Sequence, residues 1–158
     1  MLKRWRYLPN EEQLEGYRRL FADFYDEECQ RLFSAAVLLN RKAEYRDRLK
    51  GCYVNEGELA GVLRHWQAAE GKVVIDGIGN YGQAFLRYAR VANLPVDALV
   101  VTDGENIHSV PGCDLPIHEL CKLPYAPDEC TVIIAIQAAQ ARRLVEKELR
   151  YRGYFRIL

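Results

Sequence analysis

The sequence predicts an α/β protein: a doubly wound parallel sheet of five strands in the order 3-2-1-4-5, with an N-terminal helical extension. Three observations predict it. The run KVVID, from Lys72 to Asp76, carries Val73, Val74 and Ile75, a β-branched stretch suited to a strand buried on both faces. It passes into Gly77, Gly79 and Gly82 and then into Phe85, Tyr88, Ala89 and Ala92 at helical spacing, so strand, turn and helix follow without a gap. A second apolar run, TVIIAI at 131–136, is also followed by an amphipathic segment, with Ala141, Leu144, Val145 and Leu149 on one face.

In chain order, Pro9 and Asn10 open a first helical segment, with Glu11 and Glu12 in its first turn and Leu14, Tyr17, Leu20, Phe21 and Phe24 at helical spacing. A second start at Asp26 leads into Cys29, Leu32, Phe33, Ala36 and Val37, a helix expected to run to about Asn40. The stretch RKAEYRDRLK, 41–50, reads as a solvated short helix; Glu44 and Asp47 interleave with its basic residues and argue against a polyanion site. After a loop from Gly51 to Gly57, Asn55 or Glu56 starts a helix with Leu59, Val62, Leu63 and Trp66 on one face, ending near Gly71. Residues 1–70 are therefore a helical extension and 71–158 the α/β domain. Ala98 to Thr102 gives the second strand, Leu115 to Ile117 a brief third, and His118 to Lys122 a short helix ended by Pro124 and Pro127. After Gly153, YFRIL supplies the fifth strand, and the stop inside it suggests a piece of a longer protein.

A chain of 158 residues with 49% hydrophobic and 28% charged residues has room for one domain plus a small attachment. Its 22 basic residues cancel its 22 acidic ones, so nothing in the composition points to a nucleic-acid or membrane surface and neither partner is expected. No run approaches a membrane span or a signal peptide, so a cytoplasmic protein is expected. Five widely spaced cysteines, Cys29, Cys52, Cys113, Cys121 and Cys130, suit reduced thiols.

Gly77, Gly79 and Gly82 fit Gly-x-Gly-x-x-Gly, a pattern with a mechanism only where it joins a strand end to a helix start. The first glycine makes the turn, the second lets a pyrophosphate approach the backbone, and the third lets the helix pack close to the strand, leaving amides facing an anion. Asp103 stands 21 residues past Gly82, where an acid that binds a ribose is expected, though it could also cap a turn with Gly104. With this strand order the crevice lies between the first and fourth strands, walled by the glycine loop with Ile78, Asn80 and Tyr81, and by Ile136 and Gln137. The candidate binding residues are Gly77, Ile78, Gly79, Asn80, Tyr81, Gly82, Asp103 and Gln137.

The stretches VVIDGIGNYGQAFLRYAR, VVTDG, VPGCDLPIHEL, DECTVIIAI and LRYRGYFRIL, preceded by FADFYDEECQRLFSAAVLLNRK, resemble the Rossmann-like module attached to FkbM-type methyltransferases and to cell-surface-polysaccharide glycosyltransferases. The resemblance covers roughly Phe21 to Leu158. It implies an accessory module that binds a sugar nucleotide or NAD(P), beside a catalytic partner domain that this chain lacks. Gly77, Gly79 and Gly82 then hold phosphate and Asp103 a ribose. Asp76 departs from that pattern, and a carboxylate there repels a pyrophosphate unless it is tied to loop amides.

Other chemistry is less well served. The S-adenosylmethionine pattern Asp-x-Gly-x-Gly is out of register by one, because Gly77 follows Asp76 directly. Cys113, His118 and Cys121 lack the fourth ligand of a structural zinc site, so no metal is expected. His108 could donate to a phosphate or act as acid or base, but no paired nucleophile accompanies it. His65 beside Trp66 reads as helix surface. Three classes stay open: a nucleotide-binding module, an enzyme of NAD-dependent oxidoreductase or methyltransferase type, and a docking module that associates with itself or with a catalytic partner.

Overall fold

The computed structural model describes residues 15, 16, 19, 27–105, 107, 109, 110 and 112–158. The expected first helix and the cap at Asp26 lie outside the described residues, apart from Glu15, Gly16 and Arg19, which are helical. His108 lies outside them too. The chain divides into two compact units, Met1–Glu44 and Tyr45–Leu158, and the sheet lies in the second.

Helix α1 is Glu27–Leu49, one continuous helix of 23 residues. It does not stop near Asn40, because the charged stretch beyond contains neither glycine nor proline and is rich in Ala, Glu, Lys, Arg and Leu, all good helix formers. Tyr45 and Leu49 form the expected narrow stripe, with Leu49 fully buried. A single turn of tighter helix at Lys50–Cys52 follows. Helix α2, Glu56–Gln67, is capped by Asn55, whose side chain accepts the Glu58 amide at 2.9 Å, while Glu58 in return accepts the Val54 amide at 2.8 Å. Its Trp66 is fully buried and donates through Nε1 to the Pro95 carbonyl at 2.8 Å.

The sheet is five-stranded and all parallel, in the order 3-2-1-4-5, as the sequence predicts. The strands are β1 (Lys72–Asp76), β2 (Ala98–Val101), β3 (Ile117–Glu119), β4 (Cys130–Ile134) and β5 (Arg156–Ile157), and α3 (Asn80–Ala92) and α4 (Ala139–Tyr151) are the crossover helices. Strand β3 begins two residues later than expected. Pro116 has no amide to give the ladder, and only its carbonyl takes part, accepting from Leu99 at 2.9 Å. The expected helix at His118 shrinks to the tight turn Leu120–Lys122.

Alternation along the strands separates two cores. Val73, Ile75, Leu99 and Ile133 pack with Leu49, Leu59, Trp66 and Phe85, so α2 and α3 cover one face. Val74, Val100, Val132 and Ile134 pack with Leu149 and Tyr154 on the other, under α4. Trp66 and Phe85 pack as a tilted ring pair at 6.0 Å between centroids, which ties the last turn of α2 to the helix leaving the glycine loop.

The join between β1 and α3 is the tightest point of the fold. A Cβ on Gly82 would stand 1.8 Å from the Gly77 carbonyl oxygen, and Gly77 itself sits at φ +110°, where a side chain is strained. Gly82→Ala must therefore push α3 off the strand end and is expected to cost about 2 kcal/mol or more in urea unfolding. Gly79→Ala, with nothing within 4 Å of its Cβ, should stay within about 0.5 kcal/mol of the parent.

Candidate functional site

β1 lies between β2 and β4, and the chain turns away from it in opposite directions on the two sides. The last ladder bonds at this end run from the Gly77 amide to the Val100 carbonyl at 3.0 Å and from the Ala135 amide to the Asp76 carbonyl at 2.9 Å. Beyond them the strand ends part, and the crevice of a doubly wound sheet opens.

The glycine loop presents bare amides here. The first intrahelical bond of α3 runs from the Gln83 amide to the Gly79 carbonyl at 3.0 Å, so the amides of residues 79–82 have no acceptor among the described residues. Neither α3 nor α4 has a side-chain cap or an acid in its first turn. α2, which does not start at a strand end, has both, in Asn55 and in Glu56 with Glu58. The two helices that start at the switch point thus keep their positive ends uncompensated by the protein.

A cleft of about 600 Å³ adjoins the loop, lined by Arg48, Asn80, Tyr81, Gln83, Arg87 and Gln137 among others. Three sequence-predicted residues, Asn80, Tyr81 and Gln137, meet there. Gly79 faces open space, Gly82 is buried in the first turn of α3 against the Gly77 carbonyl, and half-buried Ile78 packs against the core rather than lining the cleft. The Tyr81 hydroxyl lies against Gly51, where a Cβ would come within 2.6 Å of it. The tight turn at Lys50–Cys52 therefore forms part of the cleft's surroundings.

Arg142, in the first turn of α4, holds that turn in place. Its Nη1 donates to the carbonyls of Cys52 at 3.1 Å and Ile134 at 3.2 Å, and its guanidinium lies 4.6 Å from the Tyr53 ring centroid. The Tyr53 hydroxyl is buried with no hydrogen-bond partner among the described residues, and burial pushes it up to about 12 against the pull of the Arg142 charge beside it.

The two acids behave differently from each other. Asp76 is only 8% exposed and is not tied to loop amides. Burial pushes its carboxyl up to about 6, with Glu105 and Asp103 adding repulsion, so that part of the negative charge at the loop is lost by protonation in mildly acid solution. Asp103 does not line the cleft. One of its oxygens accepts from the Cys121 amide and the other from Arg152 Nη2, each at 2.8 Å, and the Cys121 bond first and Arg152 second hold it below the usual carboxylate range.

Cys113 and His118 do not join Cys121 in a ligating group. Among the described residues, Asp103 and Glu119 lie near the Cys121 sulfur, and their carboxylates are already bonded to Arg152, the Cys121 amide, Lys122 and the Gly104 amide. Sequence reasoning missed Arg48, Gln83, Arg87, Arg142 and Tyr53. Only Gln83 and Arg87 left a local signal, since they recur with Asn80 at i, i+3 and i+7 along α3.

Because the folded state holds the Asp76 proton up to about 6 against an ordinary 3.8, it binds more protons than the unfolded chain between those values. Stability from this group is full below pH 4 and falls as pH rises through about 6, by roughly 3 kcal/mol. Asp76→Asn should remove that fall, so urea unfolding at pH 4.5 and 7.5 should show a larger gain for the variant at the higher pH.

No family model matches the sequence, and no curated protein matches it. Two solved structures are similar to part of it. One is the acetyltransferase domain of PglB from Neisseria gonorrhoeae FA1090 in complex with acetyl coenzyme A, with a TM-score of 0.42 and 19% identity over 54% of this chain and 41% of that one. The other is a second structure of that acetyltransferase domain, with a TM-score of 0.41 and 20% identity over 52% and 40%. The chain spans about two fifths of their length, and neither likeness carries a functional argument.

Proposed function

We propose that the protein is a binding module for a phosphate-bearing small molecule, a nucleotide or sugar nucleotide, whose phosphate rests on the amides of residues 79–82. The observation that carries this is Gly79. The turn and the close helix contact account for Gly77 and Gly82, but nothing in the fold requires a glycine at 79, where a side chain would meet only open space. A site that must let phosphoryl oxygens reach backbone amides does require it. The cleft beside it has arginine and amide side chains and, among the described residues, no acid along its lining, which favours an anion.

The residue-level resemblance to the modules of FkbM-type methyltransferases and polysaccharide glycosyltransferases supports placing this binding in a glycan-modifying system, with catalysis supplied by another domain. No paired nucleophile and base line the cleft among the described residues. Asp103 could still serve a ribose, since each carboxylate oxygen keeps a second lone pair, but it would have to share them with Cys121 and Arg152.

A thermal-shift panel of NAD, NADP, UDP-sugars and S-adenosylmethionine tests the proposal. A bound ligand at a hundred times its dissociation constant adds about 2.7 kcal/mol to stability. Gly79→Val should abolish that shift while leaving the ligand-free melting temperature within about 2 °C of the parent. A ligand that stabilises parent and variant equally would place binding elsewhere.

A further inference from the structure

The cleft extends well beyond the loop amides. Its volume of about 600 Å³ lies in the range of sites for whole small molecules rather than single ions. Asn80, Gln83 and Arg87 fall on one face of α3, at i, i+3 and i+7, so the Arg87 backbone stands about 10 Å along the helix from the first-turn amides. Helical side chains lean toward the N-terminus, which brings a guanidinium at 87 back over the turn that carries Gln83. Arg48, at the C-terminal end of α1, lines the same cleft.

Arg87 is exposed and makes no ion pair or hydrogen bond among the described residues. Arg90, Arg142, Arg150 and Arg156 are used within the protein, bonding the Gly112 carbonyl, the carbonyls of Cys52 and Ile134, the Glu146 carboxylate, and the carbonyls of Glu70 and Asp128. Arg64 and Arg143 are unpaired among the described residues as well, but of the three unpaired arginines Arg87 is the one that lines the cleft. Among the described residues, no Asp or Glu lines the cleft to neutralise Arg87. A planar five-donor group left free beside bare amides is suited to a second phosphoryl group.

We propose that Arg87, together with Arg48, binds a second anionic group on the ligand held at residues 79–82, so that the preferred ligand class is a diphosphate rather than a monophosphate. This rests on the phosphate-binding role given to those amides. It adds a length requirement: one phosphoryl group on the loop and the next toward the guanidinium groups.

Inorganic orthophosphate and inorganic pyrophosphate test this without knowledge of the base or sugar. Their affinities are measured by calorimetry on the full chain, on Arg87→Gln, and on Arg64→Gln, which removes the same charge from an exposed position on α2 outside the cleft. In the parent and in Arg64→Gln, pyrophosphate should bind at least about tenfold more tightly than orthophosphate. Arg87→Gln should reduce that ratio to about threefold or less while changing orthophosphate affinity little. A ratio that survives in Arg87→Gln, or that falls equally in Arg64→Gln, overturns the assignment of Arg87 and leaves the loop site standing. Binding of neither anion by the parent overturns the loop site and this inference together.

Discussion

The contact between the Gly77 carbonyl and the α-carbon of Gly82 governs the rest of the architecture. A helix can start this close to the end of a buried strand only if the residue facing the first carbonyl beyond the strand has no side chain. That approach sets Phe85 against Trp66 and seats α3 on one face of the sheet. It also leaves the first amides of α3 aimed past the strand end, with no acceptor among the described residues. The constraint that packs the helix is thus the one that bares the amides, and the fold and the candidate site share a cause.

Charge around the crevice is arranged with a sign. Acids support the start of α2, where they complement its dipole, and are missing from the starts of α3 and α4. Arginines line the cleft or brace its border, with Arg142 clamping the turn at Lys50–Cys52 to the end of β4. Asp76 stands against this pattern. Its burial raises the cost of its charge, so the proton it gains near pH 6 relieves both the desolvation and the repulsion from Glu105 and Asp103. Anion affinity at the loop should accordingly be coupled to the state of this one carboxyl.

The sheet was legible because its signals are local. Val73 to Ile75 and Val132 to Ile134 are apolar runs too short for helices, and the glycines between β1 and α3 mark the turn by type and spacing. Boundaries were less legible where a single atom decides them, as at Pro116, whose missing amide delays β3. The half of the site carried by residues 77–82 was readable for the same local reason, and Gln137 followed from the strand order. The other half was not. Arg48 lines the cleft and Gly51 backs Tyr81 from a segment that reads as a solvated helix and a loop, and the Arg142 bond to Cys52 spans 90 residues. Counting 21 residues from Gly82 found Asp103, but no count could show that Cys121, 18 residues on, and Arg152, 49 residues on, already occupy its carboxylate.

The central claim is that backbone amides at the start of α3, and not surface charge in general, receive a phosphoryl group. Titration of the nitrogen-15-labelled chain with inorganic pyrophosphate, followed by amide chemical shifts, tests it at the atoms concerned. The account predicts the largest shifts at residues 79–82, saturating together. Unmoved amides at these positions, with shifts confined to basic residues of α1 such as Arg41 and Lys42, would contradict it.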